Sequence, residues 1–235
     1  MVFPLYDENP FKKPTLPWVT WGLIGINLIV FLIQVSSPDD VQRAMLASLG
    51  ATPTALTREF PMGVLPPELT LITSQFLHGG WEHLLGNMIY LWVFGDDIEE
   101  VLGPLRYLIF YLMCGVIAAL TFVVFNLHQT TPLVGASGAI SGVLAAYLMI
   151  RPCAKVSVFV LRMAVRLRAY WVVGGWVVLQ LFLFSSAGAD NEVAYVAHLG
   201  GLAGGIGLLL LLRPAGLRLF ECIGEPDSWR SITGS

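Results

Sequence analysis

The chain alternates between long apolar runs and short polar connections. At about 1.5 Å per residue, a helix needs about 20 apolar residues to cross a hydrocarbon layer about 30 Å thick. Five runs meet this requirement, and a sixth is shorter and rich in small residues. In chain order, the runs are 18–35, 75–94, 107–125, 135–150, 169–188 and 193–212, of which 135–150 is the short one. The pattern predicts an all-α membrane protein with six transmembrane helices and no second domain.

The composition supports a lipid environment. Of the 235 residues, 56% are hydrophobic and 12% are charged, whereas about 25% are charged in a typical soluble domain. The mean hydropathy is +0.72. No basic patch alternates with aromatic residues, so we expect no nucleic-acid partner. The cysteines Cys114, Cys153 and Cys222 lack metal-ligand spacing, and we interpret them as buried or loop thiols.

The basic residues predict the orientation of the helices. With a cytoplasmic N-terminus, eleven of the 13 lysines and arginines fall in cytoplasmic segments, in agreement with the positive-inside rule. These are Lys12, Lys13, Arg106, Arg151, Lys155, Arg162, Arg166, Arg168, Arg213, Arg218 and Arg230. Arg43 and Arg58 lie in a long first outer loop, 36–72, which is predicted to hold short interfacial helices or to be a plain connector. Both termini are therefore predicted to be cytoplasmic.

Three polar segments interrupt the apolar runs, where polar side chains are costly and usually functional. The first contains His78, His83 and Asn87, the second contains Ser137 and the third contains His198. Each of these segments is a candidate part of a site.

Ser137 lies between Gly135 and Gly138, at the predicted start of the fourth helix. A serine in a membrane helix often bonds only to its own backbone. Glycine, however, permits a tight turn and a close backbone approach, and the free N–H groups of a helix N-terminus can bind an oxyanion. Ser137 is therefore a candidate nucleophile.

Helix lengths place this serine and His198 at similar depths. The segment from Ser137 to Ile150 makes a helix about 21 Å long, which cannot cross about 30 Å. Ser137 is therefore expected about 10 Å below the outer surface, in a water-filled dip. Counting back from Leu212 puts His198 about 22 Å above the inner boundary. A serine and a histidine at one depth can act as nucleophile and general base.

Both of these helices carry a G-x-x-x-G pattern, with Gly138 and Gly142 on one helix and Gly201 and Gly205 on the other. Small residues let helix backbones approach closely in membranes. We therefore expect the fourth and sixth helices to press together and to set the candidate serine against the candidate histidine.

His83 and Asn87 are four residues apart and share a helix face. Imidazole and amide groups can stabilise the oxyanion of a tetrahedral intermediate. For Asn87 to reach the depth of the serine, the helix must continue to Ile98, with 95–99 as its last turn. A metal site is the alternative for Glu82 and the histidines, but H-E-x-x-H is absent and no metal is expected. No aspartate is placed to orient the histidine, so a Ser–His dyad is predicted.

At these segments the chain resembles the rhomboid family of intramembrane serine proteases. The resemblance covers essentially all of residues 18–212. Its motifs are H-x-x-x-x-H-x-x-x-N at His78, His83 and Asn87, G-x-S-G at Gly135, Ser137 and Gly138, A-H-x-x-G-x-x-x-G at His198, Gly201 and Gly205, and G-x-x-x-E at Gly95 and Glu99. The resemblance implies a six-helix protease domain over 18–212, between a cytoplasmic N-terminal segment, 1–17, and a cytoplasmic C-terminal tail, 213–235.

The resemblance also implies roles for the motif residues. Ser137 would be the nucleophile and His198 its base, while His83 and Asn87 would complete an oxyanion hole with the Ser137 N–H. His78 would support the first loop by hydrogen bonding. No cofactor is implied. Substrates would be single-pass membrane proteins, cut within the lipid bilayer near the outer end of their helix.

Substrates would enter sideways between the second and fifth helices. Four aromatic residues of the fifth helix either line this gate or face lipid: Trp171, Trp176, Phe182 and Phe184. We expect a bacterial inner (plasma) membrane protein whose active site opens to the outer side.

Two positions depart from the family pattern. Many members carry Trp-Arg where this chain has Leu69 and Thr70, and many place an aromatic residue where it has Ser141. The histidine is therefore expected to be held in another way, by a different aromatic residue. An inactive, client-binding relative and a small transporter are the alternative functions. The presence of both serine and histidine argues against the first, and the absence of an inverted repeat argues against the second.

Overall fold

The computed structural model describes residues 3–7, 16–57, 65–160, 163–186 and 194–222. Within these ranges the chain forms nine α-helices and three β-strands. The helices are α1 (Trp18–Ser36), α2 (Asp39–Leu49), α3 (Pro53–Leu56), α4 (Thr70–Thr73), α5 (Trp81–Leu102), α6 (Pro104–Phe125), α7 (Ser137–Ile150), α8 (Ala169–Ser186) and α9 (Ala194–Leu212). The strands are β1 (Phe3–Asp7), β2 (Lys155–Val160) and β3 (Met163–Arg168).

Among the described residues, four helices are long and apolar enough to cross a membrane, namely α1, α6, α8 and α9. Helix α5 has 22 residues but carries five carboxylates, and α7 is apolar but has only 14 residues. The protein is therefore mostly helical with several membrane spans, and the count of six stays a prediction.

The second predicted helix is corrected at both ends. Residues 74–76 form a 3₁₀ turn, so α5 begins at Trp81 and not near residue 75. At its other end α5 continues to Leu102, about one turn beyond the predicted last turn at 95–99. Gly103 then ends the helix with a φ of 77°, a left-handed conformation that glycine adopts without a steric penalty.

Helix α7 lies at the centre of the molecule. It contacts α5, α6, α8 and α9, and 12 of its 14 residues are buried. Its first residue, Ser137, is half-buried. The shortest of the apolar helices is thus the one enclosed by the others, and its N-terminus lies inside the bundle.

The backbones of α7 and α9 touch at their glycines. A Cβ added to Gly205 would lie 2.5 Å from Gly142 Cα, although ordinary contact begins near 3.4 Å. A Cβ added to Gly201 would collide with the carbonyl oxygen of Gly138. Glycine is therefore required on this face, because any side chain would push the helices apart.

Glu99 joins α5 to the start of α1. Its carboxylate accepts hydrogen bonds from the N–H of Val19 at 2.9 Å and from the N–H and hydroxyl of Thr20, both at 2.8 Å. These donors belong to the first turn of α1, where backbone N–H groups have no partner within the helix and where a negative charge is favoured. The G-x-x-x-E motif therefore fixes one helix against another.

A small sheet corrects the prediction of an all-α chain. Strand β1 pairs antiparallel with β2, which pairs antiparallel with β3, in the order β1-β2-β3. Val156 and Val158 are buried, and along β3 half-buried and exposed residues alternate from Ala164 to Arg168. This alternation is the period of a strand with one buried face. The basic residues of this connection predicted its side of the membrane but no strand.

A buried ion cluster holds β1 to the helices. The guanidinium of Arg151 lies 2.8 Å from Asp97 of α5 and 3.7 Å from Asp7 of β1. The Tyr147 hydroxyl donates to Asp7 at 2.6 Å. A buried charge is tolerated when it is paired in this way, so the cluster links the sheet to α5 and α7.

Two of the three cysteines are paired, which corrects the interpretation of all three as thiols. Cys153 and Cys222 form a disulfide with a Cα–Cα distance of 5.2 Å, and Cys114 is a buried free cysteine. The pair ties the segment after α9 to the turn after α7.

The described part of the first outer loop contains the short helices α2, α3 and α4. Their position at the membrane interface stays a prediction, as does the orientation of the bundle. Five of the basic residues used for orientation lie outside the described residues: Lys12, Lys13, Arg58, Arg162 and Arg230. Most of segment 1–17 and of tail 213–235 also lies outside them.

Candidate active site

The turn before α7 sets the position of Ser137. Gly135 has a φ of 119°, a conformation that side chains rarely allow, and its N–H donates to the Ser74 carbonyl at 2.9 Å. The N–H of Ile140 donates to the Ala136 carbonyl at 3.0 Å, inside the first turn of α7. The backbone N–H groups ahead of this bond, including that of Ser137, are available for an anion at the helix N-terminus.

Ser137 and His198 form a hydrogen bond across α7 and α9. Ser137 Oγ lies 2.9 Å from His198 Nε2, although the residues are 61 positions apart. Both side chains are half-buried. The distance is within the range that a nucleophile and its general base require.

The second imidazole nitrogen of His198 has a partner that was not predicted. His198 Nδ1 lies 2.8 Å from Oε1 of Gln180, a buried residue of α8. Because Oε1 can only accept, the proton must be on Nδ1, which leaves Nε2 free to accept the serine hydroxyl proton. The Trp176 ring lies 5.7 Å from the His198 ring, at 41° to it. A glutamine in an apolar run belongs to no motif, so no sequence signal marked it.

Ser141, which stands at the position of the family aromatic, does not support the histidine. It is buried, and its hydroxyl donates to the Ser137 carbonyl at 2.6 Å. The small side chain instead faces the close contact with Gly201, where a Cβ would come within 3.1 Å of Ser141 Cβ. Among the described residues, Trp176 is therefore the aromatic residue that packs beside His198.

His83 faces the turn that carries the serine. Its Nδ1 accepts a hydrogen bond from the Gly79 N–H at 3.4 Å, so its proton is on Nε2. A Cβ built on Gly135 would lie 2.7 Å from His83 Nε2 and 3.7 Å from Asn87 Nδ2. The Nε2–H of His83 and the side-chain amide of Asn87 therefore lie beside the backbone that leads into Ser137.

His78 supports this arrangement. The amide nitrogen of Asn87 lies 3.0 Å from His78 Nε2 and, as a donor, leaves its second hydrogen available. Burial lowers the pKa of His78 to about 4, and the neighbouring His83 adds to this effect, so the ring is neutral at neutral pH. Gln34 of α1 brackets the His78 backbone, donating to its carbonyl at 2.6 Å and accepting from its N–H at 3.3 Å.

The remaining family-derived residues lie apart from these groups. Trp171 is 67% exposed, Phe182 63% and Phe184 42%. These three aromatic residues therefore lie on the outer face of α8, whereas Trp176 packs beside His198. At the Trp-Arg position, Leu69 is exposed, while the Thr70 hydroxyl donates to the Pro67 carbonyl at 2.5 Å. Thr70 therefore makes a local hydrogen bond at the position where many family members carry a longer arginine side chain.

Comparison with known proteins places the chain. A family model described as the Rhomboid domain matches residues 67–215. The Rhomboid protease GluP of Bacillus subtilis (strain 168) is 28% identical over 193 residues, which cover 82% of this chain and 34% of that protein. The mitochondrial presenilin-associated rhomboid-like protein of Bos taurus is 30% identical over 216 residues, covering 85% and 52%. Rhomboid protein 1, mitochondrial, of Saccharomyces cerevisiae is 30% identical over 199 residues, covering 80% and 51%.

The apolar helices and these relatives define a multi-pass membrane protein. The chain belongs to the rhomboid family, whose domain model covers more than half of it. It spans about half the length of two of these relatives and about a third of the Bacillus protein.

Proposed function

We propose that the protein is an intramembrane serine endopeptidase that uses a Ser137–His198 dyad. The observation that carries the proposal is the 2.9 Å contact between Ser137 Oγ and His198 Nε2, made by two helices that are held together through glycine. A packing serine needs no such partner, and a half-buried histidine whose Nε2 is free to accept a proton is suited to general-base catalysis.

The proposed reaction proceeds through an acyl-enzyme. Ser137 Oγ attacks the scissile carbonyl carbon and transfers its proton to His198 Nε2. The carbonyl oxygen becomes an oxyanion that the Ser137 N–H, His83 Nε2–H and Asn87 Nδ2–H stabilise. When the tetrahedral intermediate collapses, the imidazolium gives its proton to the leaving amine. Water then hydrolyses the ester by the same steps, and Ser137 regains its proton.

The topology that we propose has six spans, with α1 and α5 to α9 crossing or entering the membrane and both termini cytoplasmic. The 14-residue α7 then places Ser137 below the outer surface, open to the outer side. Substrates are single-pass membrane proteins cut near the outer ends of their helices. The relatives include a Bacillus protein and mitochondrial proteins. Family membership alone therefore does not identify the cellular membrane that contains this protein. We keep the bacterial plasma membrane as the prediction.

Covalent labelling tests the dyad. The purified protein in detergent is treated with a fluorophosphonate probe, which should modify the wild type but neither Ser137→Ala nor His198→Ala. Ser185→Ala and His128→Ala are matched controls, since both side chains are exposed, and they should label like the wild type. Equal labelling of Ser137→Ala and the wild type would contradict the assignment.

Proteolysis separates an enzyme from a client-binding relative. The wild type should cut members of a panel of single-pass membrane proteins, whereas Ser137→Ala should only bind them. A wild type that neither labels nor cuts any panel member contradicts the proposed function.

Access from the outer side tests the proposed depth. In a Ser137→Cys variant, a water-soluble thiol reagent added outside intact cells should modify position 137. Protection from that reagent, with modification from the cytoplasmic side, would overturn the orientation.

A further inference from the structure

We infer that Gln180 is a positioning residue that fixes the tautomer and the orientation of His198. This inference rests on the proposed function, because it concerns how the general base of the dyad is held. The site then consists of three hydrogen-bonded side chains, Gln180 on α8, His198 on α9 and Ser137 on α7. A neutral amide takes the position that a carboxylate has in a Ser–His–Asp triad.

The position of Gln180 on α8 supports this role. Among the residues of α8, all of which are described, the buried ones are Ala169, Val172, Val173 and Gln180. The first three lie at the start of the helix, so Gln180 is the one buried residue of the remaining part. Its neighbours Leu179 and Leu181 are 48% and 50% exposed. A buried amide in an apolar helix is costly without a hydrogen-bond partner, and Oε1 finds one in His198 Nδ1 at 2.8 Å.

The contact selects one of the two neutral forms of the imidazole. With Nδ1–H donating to Gln180 Oε1, Nε2 carries a lone pair directed at Ser137 Oγ, 2.9 Å away. In the other tautomer, Nε2 would carry the proton and could not accept one from the serine. An uncharged acceptor also avoids placing a carboxylate in a low-dielectric site, where its desolvation is expensive.

Trp176 completes the support from the same helix face. It precedes Gln180 by four residues, so the two side chains project side by side, and its ring lies 5.7 Å from that of His198. The Trp176 ring therefore restricts the plane of the imidazole, and the hydrogen bond to Gln180 restricts its rotation. Since Ser141 leaves no aromatic support on α7, both constraints on the base come from α8, and the alignment of the dyad depends on the position of that helix.

Three variants test the inference. Gln180→Met keeps the length and volume of the side chain but removes the acceptor, Gln180→Glu keeps an acceptor at the same place, and Leu181→Met changes an exposed neighbour as the control. Steady-state cleavage of a transmembrane substrate gives kcat and KM, and a fluorophosphonate labelling rate reports the dyad without substrate binding. His83 on α5 also acts electrostatically on His198, but it is unchanged in every variant. A difference between the pH–rate profiles of a variant and the wild type is therefore caused by the substitution at position 180.

Loss of one orienting hydrogen bond is expected to lower kcat and the labelling rate of Gln180→Met about tenfold, with KM within about twofold. Gln180→Glu should recover much of that loss, and its acidic limb should move to higher pH because a carboxylate favours the imidazolium. Leu181→Met should match the wild type. A wild-type kcat in Gln180→Met overturns the inference. An unchanged pH–rate profile in Gln180→Glu also overturns it, and this profile is the deciding measurement if Gln180→Met fails to fold. An unlabelled, inactive wild type would instead refute the proposed function.

Discussion

Adding one methyl group to the α7–α9 contact should separate the dyad. In Gly205→Ala the new Cβ would lie 2.5 Å from Gly142 Cα, where ordinary contact begins at 3.4 Å, so the backbones must move apart by about 1 Å. Gly205 follows His198 by seven residues, about two helical turns. The same face of α9 therefore carries both residues, and a separation at one reaches the other.

The size of the effect follows from this displacement. Overpacking of a well-filled contact costs about 1–3 kcal/mol of stability, and a misplacement of about 1 Å can lower a rate about 10²-fold. We therefore expect Gly205→Ala to unfold at a lower temperature and to lose about 10- to 10²-fold in fluorophosphonate labelling rate and kcat/KM. The assays are thermal unfolding in detergent, labelling kinetics and cleavage of a fluorogenic transmembrane substrate.

Gly207→Ala is the matched control on the same helix. A Cβ at Gly207 meets nothing within 4 Å among the described residues, so this substitution should leave the labelling rate unchanged and should not lower the melting temperature, since alanine favours the helix. Wild-type stability and activity in Gly205→Ala would refute the claim that this glycine contact aligns the dyad. Equal losses in both variants would show that any change in α9 has this effect.

Two further substitutions test other parts of the molecule. Asn87→Ala should lower kcat about 10²-fold through the loss of the proposed oxyanion donor, and it should also lower the melting temperature, because buried His78 loses its hydrogen-bond partner. The control Asn126→Ala should keep its kcat, and a wild-type kcat in Asn87→Ala would remove Asn87 from the proposed oxyanion hole. Arg151→Met should cost about 3–5 kcal/mol of unfolding free energy, because it leaves buried Asp97 without its cation. The exposed Arg218→Met should cost less than about 1 kcal/mol, and similar losses in both would contradict this account of the ion cluster.

The course of the buried helices could be read from the sequence where one physical constraint dominated. Helix α7 runs from Ser137 to Ile150 as predicted, because Gly135 precedes it and Arg151 and Pro152 follow it. The same length argument set Ser137 level with His198, and these side chains are in hydrogen-bond contact. The six-span count is different, because α5 carries charges near its C-terminal end and α7 is short, so neither qualifies by length and composition.

The features that the sequence did not predict depend on contacts between distant segments. Cys153 and Cys222 are 69 residues apart, and no spacing rule connects them. Strand β1 lies in a polar, proline-rich segment and becomes a strand only by pairing with β2. Gln180 is one amide in an apolar run, and its role becomes visible only when α8 and α9 are packed together.

The site shows the same division between local pattern and tertiary contact. The i, i+4 spacing correctly placed His83 and Asn87 on one face, because helix geometry is local. The expectation that another aromatic residue stands beside His198 fits Trp176, but that residue had been grouped with three gate candidates. Which of the four aromatics touched the histidine depended on the rotation of α8, and its almost uniformly apolar surface gives no sequence signal for that rotation.

The most direct test of the central claim is to identify the residue that a fluorophosphonate modifies. Mass spectrometry of the labelled, digested wild type should find the adduct on the peptide that contains Ser137, on that serine alone, and His198→Ala should lack it. An adduct on another serine, or an active protease that carries no adduct at Ser137, would contradict the account.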